Sequence, residues 1–421
     1  MRRTTSIFCQ MLSIIPKKDF LKNVIRNGSD RYSKGFNSWE HFVSMLFCQL
    51  AQAKSLREIC KGLKSCVGKL NHLGMYRPPT KSNLSYANKH RPWELYQQTF
   101  YDLLEICRRS SPGKKKKFRF KNKLYSLDAS IIDLCIKMFD WAKFRQKKGA
   151  IKLHLLLDHD GYLPSFVHIT DGKTHEVNIA KIINIPAESV VAIDKGYTDY
   201  KLFYKWTQKR IWFVTKMKSN TKYRVKKKRK VPKHRNIISD EIIEFTGYNS
   251  RRNCPIELRH VVVWDLKKNC EIVLLTNHLS FGATTIASIY KDRWEIEIFF
   301  KIIKQNLRVK TFVGTSTNAV KIQIWTALIA ILLIKYLKFK SKYNWSMSNL
   351  VALLKWNLFT YKDLWVWIDD PFEKPPDKPN YQRYLPFWDS KKDNKAIRGW
   401  FLYEKSPFSV YGRLSVQKCY F

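Results

Sequence analysis

Acidic residues are scarce in this 421-residue chain: 34 Asp and Glu stand against 78 Lys and Arg, a formal net charge of +44. A field of that size calls for a polyanion, and nucleic acid is the default partner. Closely paired cysteines are also missing. The nine cysteines, at 9, 48, 60, 66, 107, 135, 254, 270 and 419, include no C-x-x-C spacing, which argues against structural zinc and for reduced core thiols in a cytosolic protein. No apolar run is long enough to span a bilayer. The most apolar segment, IQIWTALIAILLI at 322–334, has 13 residues, which suits a buried helix. The N-terminal MRRTTSIFCQMLSIIPKKDF is interrupted by polar residues and lacks a small-residue cleavage site, so neither a signal peptide nor a membrane partner is expected. No internal repeat is visible.

What is present is a globular composition, 45% hydrophobic and 14% aromatic with 14 Trp, unlike that of short, Trp-poor packaging proteins. Residues 1–110 read as helical. Ser55 followed by Glu58 forms a capping-box pattern. After Pro78 and Pro79, TKSNLSYANKHRP is a short polar helix with Lys81, Lys89 and Arg91. Short helices with a basic last member suit a helix-turn-helix-like DNA reader, an ordinary supporting bundle being the alternative. The basic stretch KKKKFRFKNK (114–123) separates this region from a strand-rich section.

In that section LYSLDAS ends a strand at Asp128, and AIKLHLLLDHDGYLPSFVHIT reads as a hairpin turning at Asp160-Gly161. HEVNIAKII is a helix, and SVVAIDKGY a short buried strand ending at Asp194. Buried strands alternating with helices predict a mixed sheet with helical covers, an α/β class. Residues 206–280 are β-rich around a long cationic loop, KYRVKKKRKVPKHR. Helical pattern resumes at 281. Five prolines lie in 371–386, which reads as extended, and a basic, aromatic C-terminal stretch follows.

The segment YKDRWEIEIFFKIIK (290–304) packs unusual charge into an apolar helix. At about 100° per residue, Tyr290, Arg293, Glu297, Lys301 and Lys304 share one stripe about 80° wide, while Glu295 falls among the isoleucines and phenylalanines. Alone, that stripe is an ion-paired solvated face. However, Asp128 and Asp194 each end a strand, where ligands of open α/β sheets gather. Three converging carboxylates would make a hard-oxygen site of the kind Mg²⁺ prefers, pointing to metal-assisted phosphodiester chemistry. Asp133, Asp158, Asp160 and Asp199 are explained by turn and surface roles, and His154 and His175 by core or supporting ones. A buried ion pair is expected for Glu295.

The spacing Tyr290-x2-Arg293-x3-Glu297-x6-Lys304, with RWEIE beside it and LDAS and AIDKGY upstream, resembles the YREK signature of family-four, cut-and-paste DDE transposases of insertion sequences. Four fixed positions match by chance on the order of once in 10^5 starts. The likeness runs from KGFNSWEHFVSMLFCQLAQAKSLREI to DDPF. It implies a ribonuclease-H-like catalytic domain with a β-rich insertion, preceded by a helical N-terminal domain. The divisions are 1–110 (DNA-binding), 111–205 (first part of the core), 206–280 (insertion), 281–370 (core helices) and 371–421 (Pro-rich, then basic and aromatic).

It further implies Asp128, Asp194 and Glu297 as the catalytic triad holding two Mg²⁺, with Mn²⁺ able to substitute. Tyr290, Arg293 and Lys304 would contact the transposon-end backbone. Trp264 would stack a flipped base, a core role being its alternative. Partners would be terminal inverted repeats and target DNA, bound by a homodimer in the bacterial cytoplasm at the nucleoid. A catalytically silent DNA-binding derivative and a nuclease without strand transfer remain alternative readings.

Overall fold

The structure is a computed structural model that describes residues 5–372, apart from 67, 112–116, 135–138, 140, 142, 146–147, 233–234 and 307–311. The chain divides into two units, Met1–Pro371 and Phe372–Phe421. Beyond Phe372, the Pro-rich and C-terminal segments lie outside the described residues.

Six helices open the chain: α1 (Ile7–Leu12), α2 (Lys17–Arg26), α3 (Ser38–Leu50), α4 (Leu56–Lys64), α5 (Lys81–His90) and α6 (Glu94–Ser110). The reciprocal capping box is at α3, where Asn37 accepts from the Glu40 N–H at 2.9 Å and Glu40 from the Asn37 N–H at 3.0 Å. At α4 the box is incomplete. Ser55 accepts from the Glu58 N–H at 3.2 Å, but Glu58 reaches back to the Lys54 N–H instead. An irregular stretch with a 3-10 turn at Asn71–Leu73 joins α4 to α5, in place of the tight turn expected of a helix-turn-helix. Arg91, expected among the cations open to DNA, is buried. Its guanidinium donates to the Phe36 and Asn37 carbonyls and pairs with Asp30, closing α5 onto the loop before α3.

The strands follow: β1 (Leu124–Leu134), β2 (Lys143–Arg145), β3 (Lys148–Asp158) and β4 (Leu163–Asp171), then α7 (Glu176–Ile182), β5 (Val190–Ile193), α8 (Tyr200–Gln208) and β6 (Trp212–Lys216). Next come β7 (Tyr223–Lys228), β8 (Ile237–Phe245), α9 (Tyr248–Asn253), β9 (Leu258–Asp265) and β10 (Cys270–Thr276). The last described elements are α10 (Ala283–Asp292), α11 (Trp294–Asn306), α12 (Thr317–Lys340), α13 (Met347–Asn357) and α14 (Leu364–Asp369).

Among the described residues the strands form one sheet in the order β2-β3-β1-β5-β6-β10-β9-β8-β7, with β4 also on β3. β1, β5 and β6 are parallel, while β3 and β4 run antiparallel as the expected hairpin. Gly161 turns that hairpin at φ +83, a left-handed conformation that glycine adopts freely. The strands from 223 to 276 extend the same sheet by antiparallel pairing onto β6. Much of the expected cationic loop is β7, an exposed edge strand whose Arg224 and Lys226 pair with Glu244 of β8. Charge along an edge discourages pairing with a second sheet.

Alternation along the strands assigns their faces. Val191 and Ile193 pack with α7 and α8, and Val190 and Ala192 with α10. The apolar 322–334 segment lies in α12, which is buried on nearly all sides and shares one core with α3, α5, α6 and α11. Its length and apolarity would pass for a membrane span, but 89% of the relevant window is buried in protein. The start of α10 is fixed to the far strands by a buried bidentate pair. Arg259 donates to Asp240 at 2.8 and 2.7 Å, and it also donates to the Phe281 carbonyl.

Candidate active site

Asp194 directly follows β5, but Asp128, expected to end its strand, lies inside β1, which runs on to Leu134 because β3 stays paired with it there. The β1–β5 ladder ends at Leu127 opposite Ile193, so Asp128 and Asp194 follow side by side. The Asp128 Oδ1 accepts from the Ala129 N–H at 2.8 Å. Asp194 caps a 3-10 turn, Lys195–Tyr197, its Oδ2 accepting from the Gly196 N–H at 3.4 Å.

The third acid comes from the charged segment, which is two helices rather than one: α10 ends at Asp292 and α11 begins at Trp294. Arg293 at the joint is 6% exposed. Its Nη1 donates to Asp128 Oδ2 at 3.0 Å and its Nη2 to Glu297 Oε1 at 2.8 Å. The guanidinium also lies 5.6 Å from the centre of the Tyr290 ring, a cation–π contact. Burial pushes the Asp128 carboxyl up to about 6, against the opposing pull of Arg293 and the Ala129 N–H. A groove of about 430 Å³ runs along α11, with Asp128, Glu297, Lys301 and Lys304 among its lining residues.

The fold thus brings Asp128, Glu297, Arg293 and Lys304 to one place, with Asp194 at the adjoining strand end. Trp264, near the end of β9 opposite Glu271, is half-buried and does not line the groove. Trp294 instead stands half-exposed beside Arg293, with Lys268 of the β9–β10 turn over its ring. His154 is a core residue bonded to Thr170, and burial lowers its pKa to about 4. His175 precedes α7 without capping it. Asp199 caps α8, Asp158 and Asp160 share Lys123 at the hairpin turn, and Asp133 is exposed. The ion pair expected for Glu295 is not found among the described residues. The break at Arg293 leaves Glu295 half-buried near the Tyr162 phenol, where water can serve it.

Two features were not singled out from the sequence. Glu176, the first residue of α7, approaches Asp194 across Gly196. A buried chain of bonds also braces the end of α10. Ser126 Oγ meets His159 Nε2 at 2.7 Å, His159 Nδ1 meets Asp292 Oδ2 at 2.7 Å, and Lys117 pairs with the same carboxylate. These residues are Ser-His-Asp in type and order of contact, but Ser126 is 0% exposed, so no substrate reaches it. Nothing in the spacing of 126, 159 and 292 marks the contact; only the fold creates it.

Asp128, Asp194 and Glu297 present hard oxygen donors alone, the set a Mg²⁺ ion takes. The buried Tyr197 hydroxyl, in the field of Asp128 and Asp194, has no hydrogen-bond partner among the described residues, which leaves polar capacity unused there. As placed, no three His, Cys, Asp or Glu side chains among the described residues close around one ion. The Arg293 guanidinium holds the space between Asp128 and Glu297. The donor set suits a divalent ion in chemistry, and Arg293 is the group such an ion would displace.

Comparison with known proteins identifies the family. The profile of the family described as Transposase DDE domain matches residues 120–333, just over half the chain and all three carboxylates. A Domain of unknown function (DUF4372) matches residues 3–76. Two bacterial relatives are provisionally named as transposases. One is y4zB of Sinorhizobium fredii, 29% identical, with 72% of this chain and 83% of the relative aligned. The other belongs to insertion sequence element IS5377 of Geobacillus stearothermophilus, 26% identical, with 63% and 70% aligned. The cryo-EM structure of the piggyBac transposase synaptic complex with hairpin DNA is a loose likeness, with a TM-score of 0.41 and 12% identity over 90% of this chain and 82% of that one. The chain belongs to the transposase DDE domain family and is a transposase of the insertion-sequence kind.

Proposed function

We propose that this transposase is a cut-and-paste enzyme of the YREK-signature class, insertion-sequence family four, built on a ribonuclease-H-like core with β7–β10 as its β-rich insertion. Asp128, Asp194 and Glu297 are its catalytic carboxylates. The observation that carries this reading is that Arg293 joins Asp128 and Glu297 on the wall of one groove, although the two acids lie far apart in the chain.

Those three acids would hold two Mg²⁺ ions, or Mn²⁺ in their place. Bound there, the ions would supply an activated water or 3′-hydroxyl and charge neutralisation for an in-line phosphodiester displacement. The chain's own contribution is placement and counter-charge. Arg293, once off the carboxylates, has its guanidinium free for a phosphate oxygen at the groove. Lys301 and Lys304 line the same wall with positive charge, and Tyr290 supports the arginine from below. Such contacts position a DNA backbone without reading its sequence. Trp264 would supply a stacking face for a flipped base.

No protein nucleophile is required, so no covalent enzyme–DNA intermediate forms. The 3′ end freed by nicking attacks the opposite strand to form a hairpin, and the reopened end is joined to target DNA by a homodimer holding both ends.

Purified protein, Mg²⁺, a duplex with a labelled element end and a supercoiled target test this directly. Nicked, hairpin and target-joined products are expected in sequence. Cleavage without joining at any Mg²⁺ or Mn²⁺ concentration would replace the reading with a simple nuclease.

A further inference from the structure

The fold brings Glu176 to the carboxylate site. It opens α7, which packs against the 3-10 turn carrying Asp194, Gly196 and Tyr197. A Cβ on Gly196 would stand 3.2 Å from Glu176 Oε2 and 3.8 Å from Asp194 Oδ2. The two acids therefore face one gap, which a side chain at 196 would crowd. The next side chain, Tyr197, is 0% exposed, and its hydroxyl has no hydrogen-bond partner among the described residues. It lies in the field of Asp128, Glu176 and Asp194. A buried phenol would ordinarily donate to an acceptor. Glu176 pairs with Lys152, whose Nζ is 3.7 Å from Oε1 and already donates to the Thr174 carbonyl at 2.9 Å.

An acid in the first turn of a helix is favoured by the helix dipole. That accounts for a glutamate at 176, but not for the gap at Gly196 or the unbonded, buried Tyr197 hydroxyl. We propose that Glu176 is a fourth carboxylate ligand of this site, binding a divalent hard cation together with Asp194 across Gly196. The proposal rests on the catalytic-site reading above and adds a residue that the triad does not contain. Lys152 then serves as the internal counter-ion of Glu176 until the cation arrives.

The test is Mn²⁺ binding to the full chain, followed by the electron paramagnetic resonance of free Mn²⁺, without DNA and without turnover. Glu176→Gln is expected to weaken binding by about tenfold or more, as loss of a group holding a metal does. Gly196→Ala should weaken it too, by placing a methyl group against the Glu176 oxygen. Lys152→Gln should leave affinity unchanged or raise it.

Wild-type affinity in Glu176→Gln, with Asp128→Asn and Glu297→Gln still weakened, would overturn this inference alone. A loss in Lys152→Gln equal to that in Glu176→Gln would also overturn it, by assigning the effect to the broken ion pair. If no carboxylate variant changes binding, the catalytic-site reading falls with it. Metal-free melting curves check that each variant folds, and if Glu176→Gln does not, unchanged affinity in Gly196→Ala decides against the proposal.

Discussion

Arg293 donates to Asp128 at 3.0 Å across 165 positions of sequence, so a residue of the helical joint neutralises a residue of the central sheet. With Glu297 on its other nitrogen at 2.8 Å, the buried guanidinium bridges two half-buried carboxylates. Removing one partner of a fully buried pair costs about 3–5 kcal/mol, and less where solvent reaches the charge left behind. Arg293→Ala should therefore lower metal-free stability by about 1–3 kcal/mol. Added Mg²⁺ should recover more stability in this variant than in the wild type, because the cation replaces the missing charge. Thermal denaturation with and without Mg²⁺ measures both, and an equal metal-induced shift in the two proteins would count against a shared site.

Glu295 and Glu297 are two residues apart and look interchangeable in sequence. In the structure only Glu297 reaches the groove and Arg293. Glu295→Gln should keep DNA cleavage within a few-fold of wild type, measured under single-turnover conditions with the same substrate used for Glu297→Gln. Equal losses in the two variants would show that the helical phase has been misassigned.

The Ser126–His159–Asp292 chain acts through the fold. Asp292 is 4% exposed and receives both His159 and Lys117. Asp292→Asn should cost about 3 kcal/mol in a urea titration, the scale for breaking a buried charged network. Ser126→Ala removes only one hydrogen bond and should cost about 1 kcal/mol. A Ser126→Ala variant that cleaved DNA at the wild-type rate would agree with its inaccessible position.

His41 sets an acid limit on the helical region. It is fully buried, bonded to Asn88 and Tyr96 at 2.9 Å, and burial lowers its pKa to about 3. The native state keeps it neutral while the unfolded chain protonates near the usual 6.5, so stability is lost as pH falls from about 6.5 toward about 3. At pH 4.5 the loss from this group is about 2–3 kcal/mol. His41→Gln should lose less between pH 7 and pH 4.5 than wild type does in matched urea titrations. Parallel losses would place the acid sensitivity elsewhere.

Several of these features were legible in the sequence because they are local. Asp194 follows a short apolar strand, and the phase of a helix separates Glu297 from Glu295 even though the helix breaks at Arg293; that β1 runs on past Asp128 was hidden, because β3 pairs with it there. The hairpin at Gly161 announced itself by its turn pair. What was hidden depends on distant packing. Arg91 looks like any basic residue at the end of a polar helix until its carbonyl partners from the loop before α3 are seen. The cationic run at 222–235 could be a loop or an edge strand, because exposed charge is compatible with both, and β8 decides the matter by pairing with it. Glu176 lacks a motif, and its place depends on a glycine beside another acid.

The central claim is that Asp128 and Glu297 act together on DNA at this groove. Its most direct measurement is single-turnover cleavage of a labelled element end in Mg²⁺ by wild type, Asp128→Asn and Glu297→Gln, each first shown to bind the same DNA. Both variants are expected to bind normally and to lose at least about 10³-fold in cleavage, roughly 4 kcal/mol of transition-state stabilisation. Cleavage at the wild-type rate by either variant would contradict the account.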